Sequence, residues 1–208
     1  AGLGFLWASS QLHMVMAWTA ALFLLGQVRS QGSPLVIDDF AYTNTTAARQ
    51  AWVAVSAPAV NMANLGDWGT DQVMTLTCDF ATRSTRCYWD RTVSLNLAAF
   101  TDFALEVFAP DPGAISSFTL YFHSGAGWYG GNASFSQTGW QTLRFSKADF
   151  IPEGTPSGWG QIDRIRLSPW KAAARDTYLA ARQLREMVSV GCFPRSWRSR
   201  GVRFSGSM

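Results

Sequence analysis

Residues 101–136 read TDFALEVFAPDPGAISSFTLYFHSGAGWYGGNASFS, and this stretch decides the fold class. It contains three runs in which apolar and polar residues alternate, separated by DPG (111–113) and GAG (125–127). The runs lie at 102–109, 117–124 and 128–136. Alternation with a period of two indicates half-buried β-strands, and the Gly- and Pro-containing segments are typical of turns. The stretch therefore predicts three consecutive strands, with a hairpin turn at 125–127.

Similar runs continue the pattern on both sides of this stretch. They are LVIDDF (35–40), AWVAVSA (51–57), VMTLTCDF (73–80), RTVSLNL (91–97), WQTLRFS (140–146), IDRIRLS (162–168) and a last strand at about 176–184. Residues 61–71 and the Gly- and Pro-rich segments between the later runs read as loops, and no segment from 35 to 170 has a sustained 3.6-residue period. Residues 171–190 also have the propensity of a helix, which is the alternative to the last strand. Short strands with regular turn signals predict an all-β sandwich.

Composition restricts the class of protein. The chain has 208 residues, 48% of them apolar and 15% charged, which excludes a disordered chain and fits one domain with extensions. The net charge of +3 originates in residues 181–208, which hold six arginines and one glutamate, so the rest of the chain is not basic. We therefore expect no nucleic-acid partner. We expect the basic C-terminal end to be a solvated or non-native tail. The alternative is that it contacts nucleic acid or an anionic membrane.

The N-terminal end resembles an export signal. Residues 14–26 read MVMAWTAALFLLG, a short apolar run, and Val28 and Ser30 fit the −3 and −1 positions of a signal-peptidase site. The alternative is a buried or interfacial helix; no uninterrupted apolar run reaches 18 residues, so no stable membrane span is expected. We predict a signal-peptide-like segment at 1–32, a β-sandwich domain at 33–184, and a basic, disordered tail at 185–208. Secretion, to the exterior or the periplasm, follows from this reading.

Two cysteines fit an oxidising compartment. Eight residues that read as a turn separate Cys78 from Cys87, and both flanks look like strands. A hairpin would bring the two sulfurs together, which predicts a disulfide. The alternative is a pair of free, buried thiols.

Several motifs resemble the jelly-roll carbohydrate-binding modules of the galactose-binding-like superfamily. They are the opening VIDDF, Trp52, and the closing runs GWQTLRFSKADF and GWGQIDRIRLS, and the resemblance covers about residues 35–184. It implies a jelly-roll β-sandwich of two antiparallel sheets. It also implies a non-catalytic domain that brings a linked or partner glycan-active enzyme to a polysaccharide. Such modules often carry structural Ca²⁺ near their first and last strands, which here suggests Asp39 with Asp163 or Asp176.

Aromatic residues near the predicted hairpin are candidates for sugar binding. Trp128 and Tyr129 follow the turn, with His123 and Asn132 nearby, and Trp159 lies in another loop. Sugar rings pack their C–H faces on aromatic planes while a few fixed polar groups bind their hydroxyls. The alternative is that these aromatic rings only cover the core.

A row of polar side chains forms a second set of candidates. Glu106, Tyr121 and His123 lie on the faces of their strands opposite the apolar residues, and together they predict one polar cleft. The alternative is that each simply lies on the solvated face of a half-buried strand.

Catalysis and nucleotide binding have weak sequence support. GAGWYG (125–130) matches G-x-G-x-x-G, but no helix follows it, so a dinucleotide site is not expected. The chain has two histidines, and no motif marks a pair of carboxylates. We therefore expect a binding module and not an enzyme. The alternatives are a structural or protein-interaction sandwich with no glycan ligand, and a small glycosidase or lyase in which Glu106 meets a second carboxylate.

Overall fold

The computed structural model describes residues 35–56, 61–69, 71–82 and 85–187. Within these ranges the chain forms eleven strands and one α-helix. The elements are β1 (Val36–Asp38), α1 (Thr45–Ala51), β2 (Val53–Ala54), β3 (Ala63–Trp68), β4 (Asp71–Cys78), β5 (Trp89–Leu95), β6 (Asp102–Ala109), β7 (Ile115–Ala133), β8 (Gly139–Ser146), β9 (Ile151–Pro156), β10 (Ile162–Lys171) and β11 (Thr177–Met187).

The strands form two antiparallel sheets. Sheet 1 has the order β3-β4-β11-β6-β8, with β1 also paired to β11, and sheet 2 has the order β2-β5-β10-β7-β9. Consecutive strands alternate between sheets at several points, for example from β6 in sheet 1 to β7 in sheet 2. This architecture confirms the all-β jelly-roll sandwich predicted from the sequence.

Strand β7 reverses direction within its length. If the strand were straight, Thr119 and Asn132 would lie about 40 Å apart. Instead Thr119 Oγ1 donates to Asn132 Oδ1 at 2.6 Å, and the rings of His123 and Trp128 are 4.6 Å apart. The reversal centres on residues 125–126, where Gly125 has a φ of +64° that favours glycine. The first arm of β7 (115–124) pairs with β10 and the second arm (127–133) with β9, which confirms the predicted turn.

The core lies between the two sheets. Phe103 of sheet 1 and Phe122 of sheet 2 meet with ring centroids 4.7 Å apart, and Trp52 and Trp89 are fully buried. Phe103, Phe122 and Trp89 come from strands, in which alternate residues face the core, whereas Trp52 directly follows helix α1. Packing of the inner faces leaves the outer face of each sheet available for other contacts.

The opening VIDDF motif has a structural role at Asp38. Its buried carboxylate accepts hydrogen bonds from the indole of Trp52 (2.8 Å), the hydroxyl of Tyr42 (2.6 Å) and the amide of Phe40 (2.7 Å), and it also pairs with Arg91. Burial raises the pKa of Tyr42 to about 12. The motif therefore ties β1 to α1 and β5.

Three elements differ from the sequence prediction. Helix α1 occupies 45–51, where a strand was expected to begin at 51, and Asn44 caps it by accepting a hydrogen bond from Ala47. Strands β3 and β9 replace predicted loops. Both are edge strands of their sheets, where one unpaired side tolerates the Gly, Asp and Pro residues that made these segments read as loops.

The structure contains no disulfide between Cys78 and Cys87, and the prediction that these cysteines lie in one hairpin is wrong. Cys78 ends β4 in sheet 1, whereas Cys87 lies just before β5 in sheet 2. Neither thiol is in a disulfide and both are buried; burial raises the pKa of the Cys78 thiol, and its hydrogen bond with Cys87 raises it further. The side chain of Asn61 donates to Cys87 Sγ at 3.3 Å. The structure therefore shows the alternative of two buried thiols.

The predicted ends of the domain lie partly outside the described residues. Strand β11 continues to Met187 and pairs Arg185 with Ala104 and Val36, so the sandwich includes residues past the predicted boundary at 184. The signal-like segment at 1–32, with Val28 and Ser30, and the tail from 188 lie outside the described residues. Within the described ranges, no helix is long and apolar enough to cross a membrane.

Candidate ligand-binding site

The outer face of sheet 2 brings together side chains from β10 and both arms of β7. Arg164 pairs across the strands with His123, and Arg166 pairs with Tyr121. Directly opposed residues share a face, and the alternate residue Ile165 is fully buried on the inner face. These polar side chains therefore point away from the core.

Aromatic rings and guanidinium groups alternate on this face in a stack that we call the ladder. It consists of Trp170, Arg86, Tyr88, Arg166 and Trp128. The Arg86 guanidinium lies 4.7 Å from the Trp170 ring centroid and 4.8 Å from that of Tyr88, and Arg166 lies 4.4 Å from Tyr88 and 4.2 Å from Trp128. These separations are within the range of cation–π attraction, about 6 Å. The ladder crosses the sheet from the loop before β5 to the second arm of β7.

Hydrogen bonds fix two members of the ladder, Arg166 and Trp170. Asp90 accepts two bonds from Arg166, at 2.6 and 2.9 Å, in the bidentate geometry that holds a guanidinium plane in one orientation. The indole of Trp170 donates to Thr119 at 2.8 Å, and Thr119 donates to Asn132 at 2.6 Å. The platform is therefore organised before any ligand arrives.

Tyr121 links the ladder to the edge strand β9. Its ring meets Trp128 edge-on at 6.0 Å, and its hydroxyl accepts a bond from Arg86 at 3.4 Å. Burial raises the pKa of Tyr121, and the nearby Glu153 carboxylate raises it further. Gly130 lies beneath these groups, because a Cβ there would stand 2.8 Å from the Tyr121 ring.

An open groove continues the face beyond the ladder. It has a volume of about 470 Å³, and Arg164, Asp90, Thr92, Gln50 and Val53 are among its lining residues. Arg164 is 44% exposed and its closest carboxylate oxygen, on Asp90, is 3.9 Å away, so its donors face the groove nearly unpaired. Ladder and groove together offer flat aromatic surface and charged hydrogen-bond donors side by side.

The predicted site residues fall into two groups. Trp128, Tyr121 and His123 come together as cross-strand neighbours, and Asn132 accepts a bond from Thr119, which in turn accepts one from Trp170 of the ladder. The structure does not bring the remaining three to this surface.

Tyr129 and Trp159 pack on the other side of the second arm. Their rings stack at 4.3 Å with an angle of 16° between planes, and both lie against the hydrophobic core. Residues 128 and 129 are neighbours in a strand, so their side chains point to opposite faces. Trp128 therefore lies on the outer face of sheet 2, whereas Tyr129 and Trp159 match the alternative in which the rings cover the core.

The cleft predicted from Glu106, Tyr121 and His123 does not form. Glu106 lies on β6 in sheet 1, whereas Tyr121 and His123 lie in sheet 2. All three alternate with core residues as expected, but the two outer faces lie on opposite sides of the sandwich. Alternation identifies the face of a strand without identifying its sheet.

The residues suggested for calcium have separate partners. Asp163 Oδ1 lies 2.5 Å from His123 Nδ1, Asp39 accepts the amide of Ala41, and Asp176 accepts the amide of Ala81. Within the described part of the chain, no three His, Cys, Asp or Glu side chains are grouped as metal ligands, although Ca²⁺ takes six to eight oxygens. Calcium binding stays a prediction.

Sequence reasoning missed most of the ladder. Arg86, Tyr88 and Trp170 lie at strand ends, and their proximity depends on how β5 and β10 pair. One signal was available, since the run IDRIRLS places Arg164 and Arg166 on the face opposite Ile165 and Leu167. That pattern marks two exposed cations on one strand but not the rings between which they lie.

Comparisons with known proteins were made with the sequence and with the structure. No family model and no curated protein matches the sequence. The structure resembles a family 11 carbohydrate-binding module from Clostridium thermocellum, solved in complex with a β-1,3-1,4-mixed-linked tetrasaccharide. The TM-score is 0.53 at 14% identity, and the match covers 74% of this chain and 95% of that one.

Two further solved structures show the same likeness. The solution structure of CtCBM11 matches with a TM-score of 0.57 at 12% identity, over 78% of this chain and 99% of that one. The agarase AgWH50C matches with a TM-score of 0.52 at 10% identity, over 75% of this chain and 24% of that one. At these identities the likeness establishes the fold, and the chain therefore has the jelly-roll fold seen in carbohydrate-binding modules.

Proposed function

We propose that this chain binds a polysaccharide on the outer face of sheet 2 without cleaving it. The observation that carries the proposal is the ladder of Trp170, Arg86, Tyr88, Arg166 and Trp128, beside the open groove. An extended face of this kind suits a chain-like ligand, because successive units can contact successive rungs.

The chemistry of the ladder matches that of a sugar. The partly exposed indole surfaces of Trp128 and Trp170 can pack against the C–H face of a pyranose, while guanidinium N–H groups donate to its hydroxyls. Arg166 uses only part of its five donors on Asp90, and Arg164 is nearly unpaired. Because Asp90 already holds Arg166 in place, little of that side chain's entropy is lost on binding.

The structural neighbours support the same ligand class. The family 11 module of the same fold was solved with a bound β-1,3-1,4-mixed-linked tetrasaccharide. Fold alone does not determine function, so this likeness supports the proposal only together with the ladder.

The carboxylates of this face favour binding over hydrolysis. Asp90 is held by Arg166, Asp163 contacts His123, and Glu153 lies against Tyr121. A glycosidase needs one carboxylic acid and one carboxylate on opposite sides of the scissile bond. Here the three acids are engaged with separate partners. We further propose that the chain is secreted and that it brings a linked or partner enzyme to the polysaccharide.

Affinity gel electrophoresis of the full chain tests the proposal. The gels contain mixed-linkage β-glucan, xylan, mannan, agarose or alginate, one polysaccharide each. We expect at least one to retard the chain, and Trp128→Ala to weaken that retardation about tenfold or more through loss of buried ring area. Circular dichroism checks that the variant keeps its fold.

Arg166→Lys provides a second test with a matched control. Lysine keeps the charge but loses the plane and the bidentate bond, so binding weakens. Arg175 also forms a bidentate pair, with Asp111, away from the ladder, so Arg175→Lys leaves binding unchanged. A folded chain that no polysaccharide retards favours the structural or protein-interaction sandwich instead. If the variants at positions 128 and 166 are retarded like wild type, the ladder is not the binding site.

A further inference from the structure

The outer face of sheet 1 carries a second aromatic cluster, separate from the ladder. It consists of Trp68, Phe108, Trp140 and Tyr178. The Trp68 ring lies 4.2 Å from Phe108 and 5.8 Å from Trp140, and Phe108 stacks with Tyr178 at 6.4 Å. We call this surface the second face.

Trp68 reaches the cluster because it ends β3 at the tip of the β3–β4 hairpin, opposite Asp71. Beneath it, Val73 and Ala180 point outward from sheet 1 and yet are 1% and 0% exposed, so the cluster covers them. Trp68 and Tyr178 nevertheless remain 39% and 38% exposed. The cluster thus covers its own sheet and still presents aromatic surface to solvent.

A cavity of about 380 Å³ lies on this face, and Arg182 crosses it. The Arg182 guanidinium lies 4.5 Å from the Trp140 ring centroid, donates to Glu106 at 2.7 Å, and is 3.8 Å from Asp71. Gln72 and Gln183 complete the polar lining. Asp71 is 61% exposed, so its carboxylate faces the cavity and the solvent.

We infer that the second face is an independent saccharide-binding site. Planar carboxylate, amide and guanidinium groups can each bind two adjacent hydroxyls, and this cavity holds all three types next to exposed rings. The guanidinium groups of Arg182 and Arg185 balance the carboxylates of Glu106 and Asp71, which suits a neutral sugar better than a charged polymer. An apolar protein surface would leave these polar groups without partners.

The inference goes beyond the proposed function, because it concerns the opposite sheet and different residues. It does not require that the ladder bind a ligand, and it assigns a role to Glu106 that the ladder leaves unexplained. The two sites are also distinguishable by experiment, since each has its own tryptophans: Trp68 and Trp140 on one face, Trp128 and Trp170 on the other.

Nuclear magnetic resonance of the ten indole N–H groups in the full chain tests the inference. Tryptophan-to-phenylalanine variants assign the signals. The probes are mixed-linkage β-glucan tetrasaccharide, xylohexaose, mannohexaose and agarohexaose, each titrated into wild type and into Trp128→Ala. We expect at least one probe to shift the Trp68 and Trp140 signals in both proteins. Trp68→Ala and Glu106→Gln should each weaken this response about tenfold, and Asp149→Asn, at an exposed acid between β8 and β9, serves as the control.

Two results would overturn the inference. If no probe shifts the Trp68 and Trp140 signals in either protein, the second face is only a cover for sheet 1. If a probe is cut to shorter products and Glu106→Gln abolishes the cutting, this face is a glycosidase site and not a binding site. A response at Trp68 without one at Trp128 supports the inference while contradicting the proposed function.

Discussion

At the scale of single residues, Asp38 shows how one carboxylate can organise a strand end. Its side chain is 3% exposed and contacts Arg91, while Trp52, Tyr42 and the amide of Phe40 donate to it. Its neighbour Asp39 is exposed and accepts one local amide. The sequence shows two adjacent aspartates, but only the folded chain separates a buried partner from a solvated one.

We predict that Asp38→Ala destabilises the fold by about 3–5 kcal/mol, because the change leaves buried donors and a guanidinium without their acceptor. Asp39→Ala, the matched control, should cost less than about 1 kcal/mol. Urea unfolding followed by tryptophan fluorescence measures both. If Asp38→Ala does not fold, Asp38→Asn, which keeps one acceptor oxygen, should show an intermediate loss. Equal stabilities for the position 38 and 39 variants would disprove the role of Asp38.

The pattern of residues along single strands predicted only part of the candidate site. Alternation correctly placed Tyr121 and His123 on an outer face, and the turn at 125–127 correctly placed Trp128 next to them. The partners that make this surface a site, Arg86 and Arg166, come from other strands. Their positions depend on pairings between residues distant in the chain, which no local pattern contains.

At the scale of elements, the two arms of β7 and the edge strand β9 pack closely at glycines. A Cβ on Gly127 would lie 2.5 Å from the backbone nitrogen of Pro156 and 2.6 Å from the carbonyl oxygen of Glu153. Backbone atoms cannot rotate away as a side chain can, so β9 would have to move. Strand β9 was read as a loop from its Gly and Pro content, although such close approach is one reason for glycine in a strand.

We therefore predict that Gly127→Ala displaces β9 and lowers stability by about 1–3 kcal/mol. Gly160→Ala serves as the control, because the nearest atom to a Cβ there is the Asn96 side-chain oxygen at 3.8 Å. Hydrogen exchange should show faster exchange at residues 151–156 in the first variant and no change in the second. Unchanged exchange in β9 after Gly127→Ala would contradict the predicted displacement.

The segment between β4 and β5 places two thiols inside the sandwich, one from each sheet. Because Cys78 and Cys87 are buried and burial raises the pKa of Cys78, we predict that neither reacts with a thiol reagent in the folded chain. The measurement uses Cys192→Ser, purified without reductant, so that only these two thiols can react. Two thiols should titrate only after guanidinium is added. If none titrates in guanidinium, the cysteines form the disulfide expected from the sequence.

At the scale of the whole sandwich, short strands with turn signals were enough to predict the fold class. They were not enough to assign strands to sheets, because the sheet order joins strands far apart in sequence, such as β4 with β11 and β5 with β10. Glu106 illustrates the consequence. Its outward orientation was predictable, whereas its position on the face opposite Tyr121 was not.

Two saccharide sites on opposite outer faces would make this domain bivalent. A bivalent domain can hold two segments of polymer at once, and the second contact benefits from a high effective concentration. We predict that a soluble polysaccharide bound by both faces forms large complexes with the wild-type chain, detected by light scattering, with a maximum at an intermediate ratio of protein to polymer. Trp128→Ala and Trp68→Ala should each still bind the polymer through the remaining face but form no large complexes. An oligosaccharide that fills one site cannot bridge two domains, so it should produce none with any variant. If either single-face variant forms large complexes as readily as wild type, bridging does not arise from the two faces acting together.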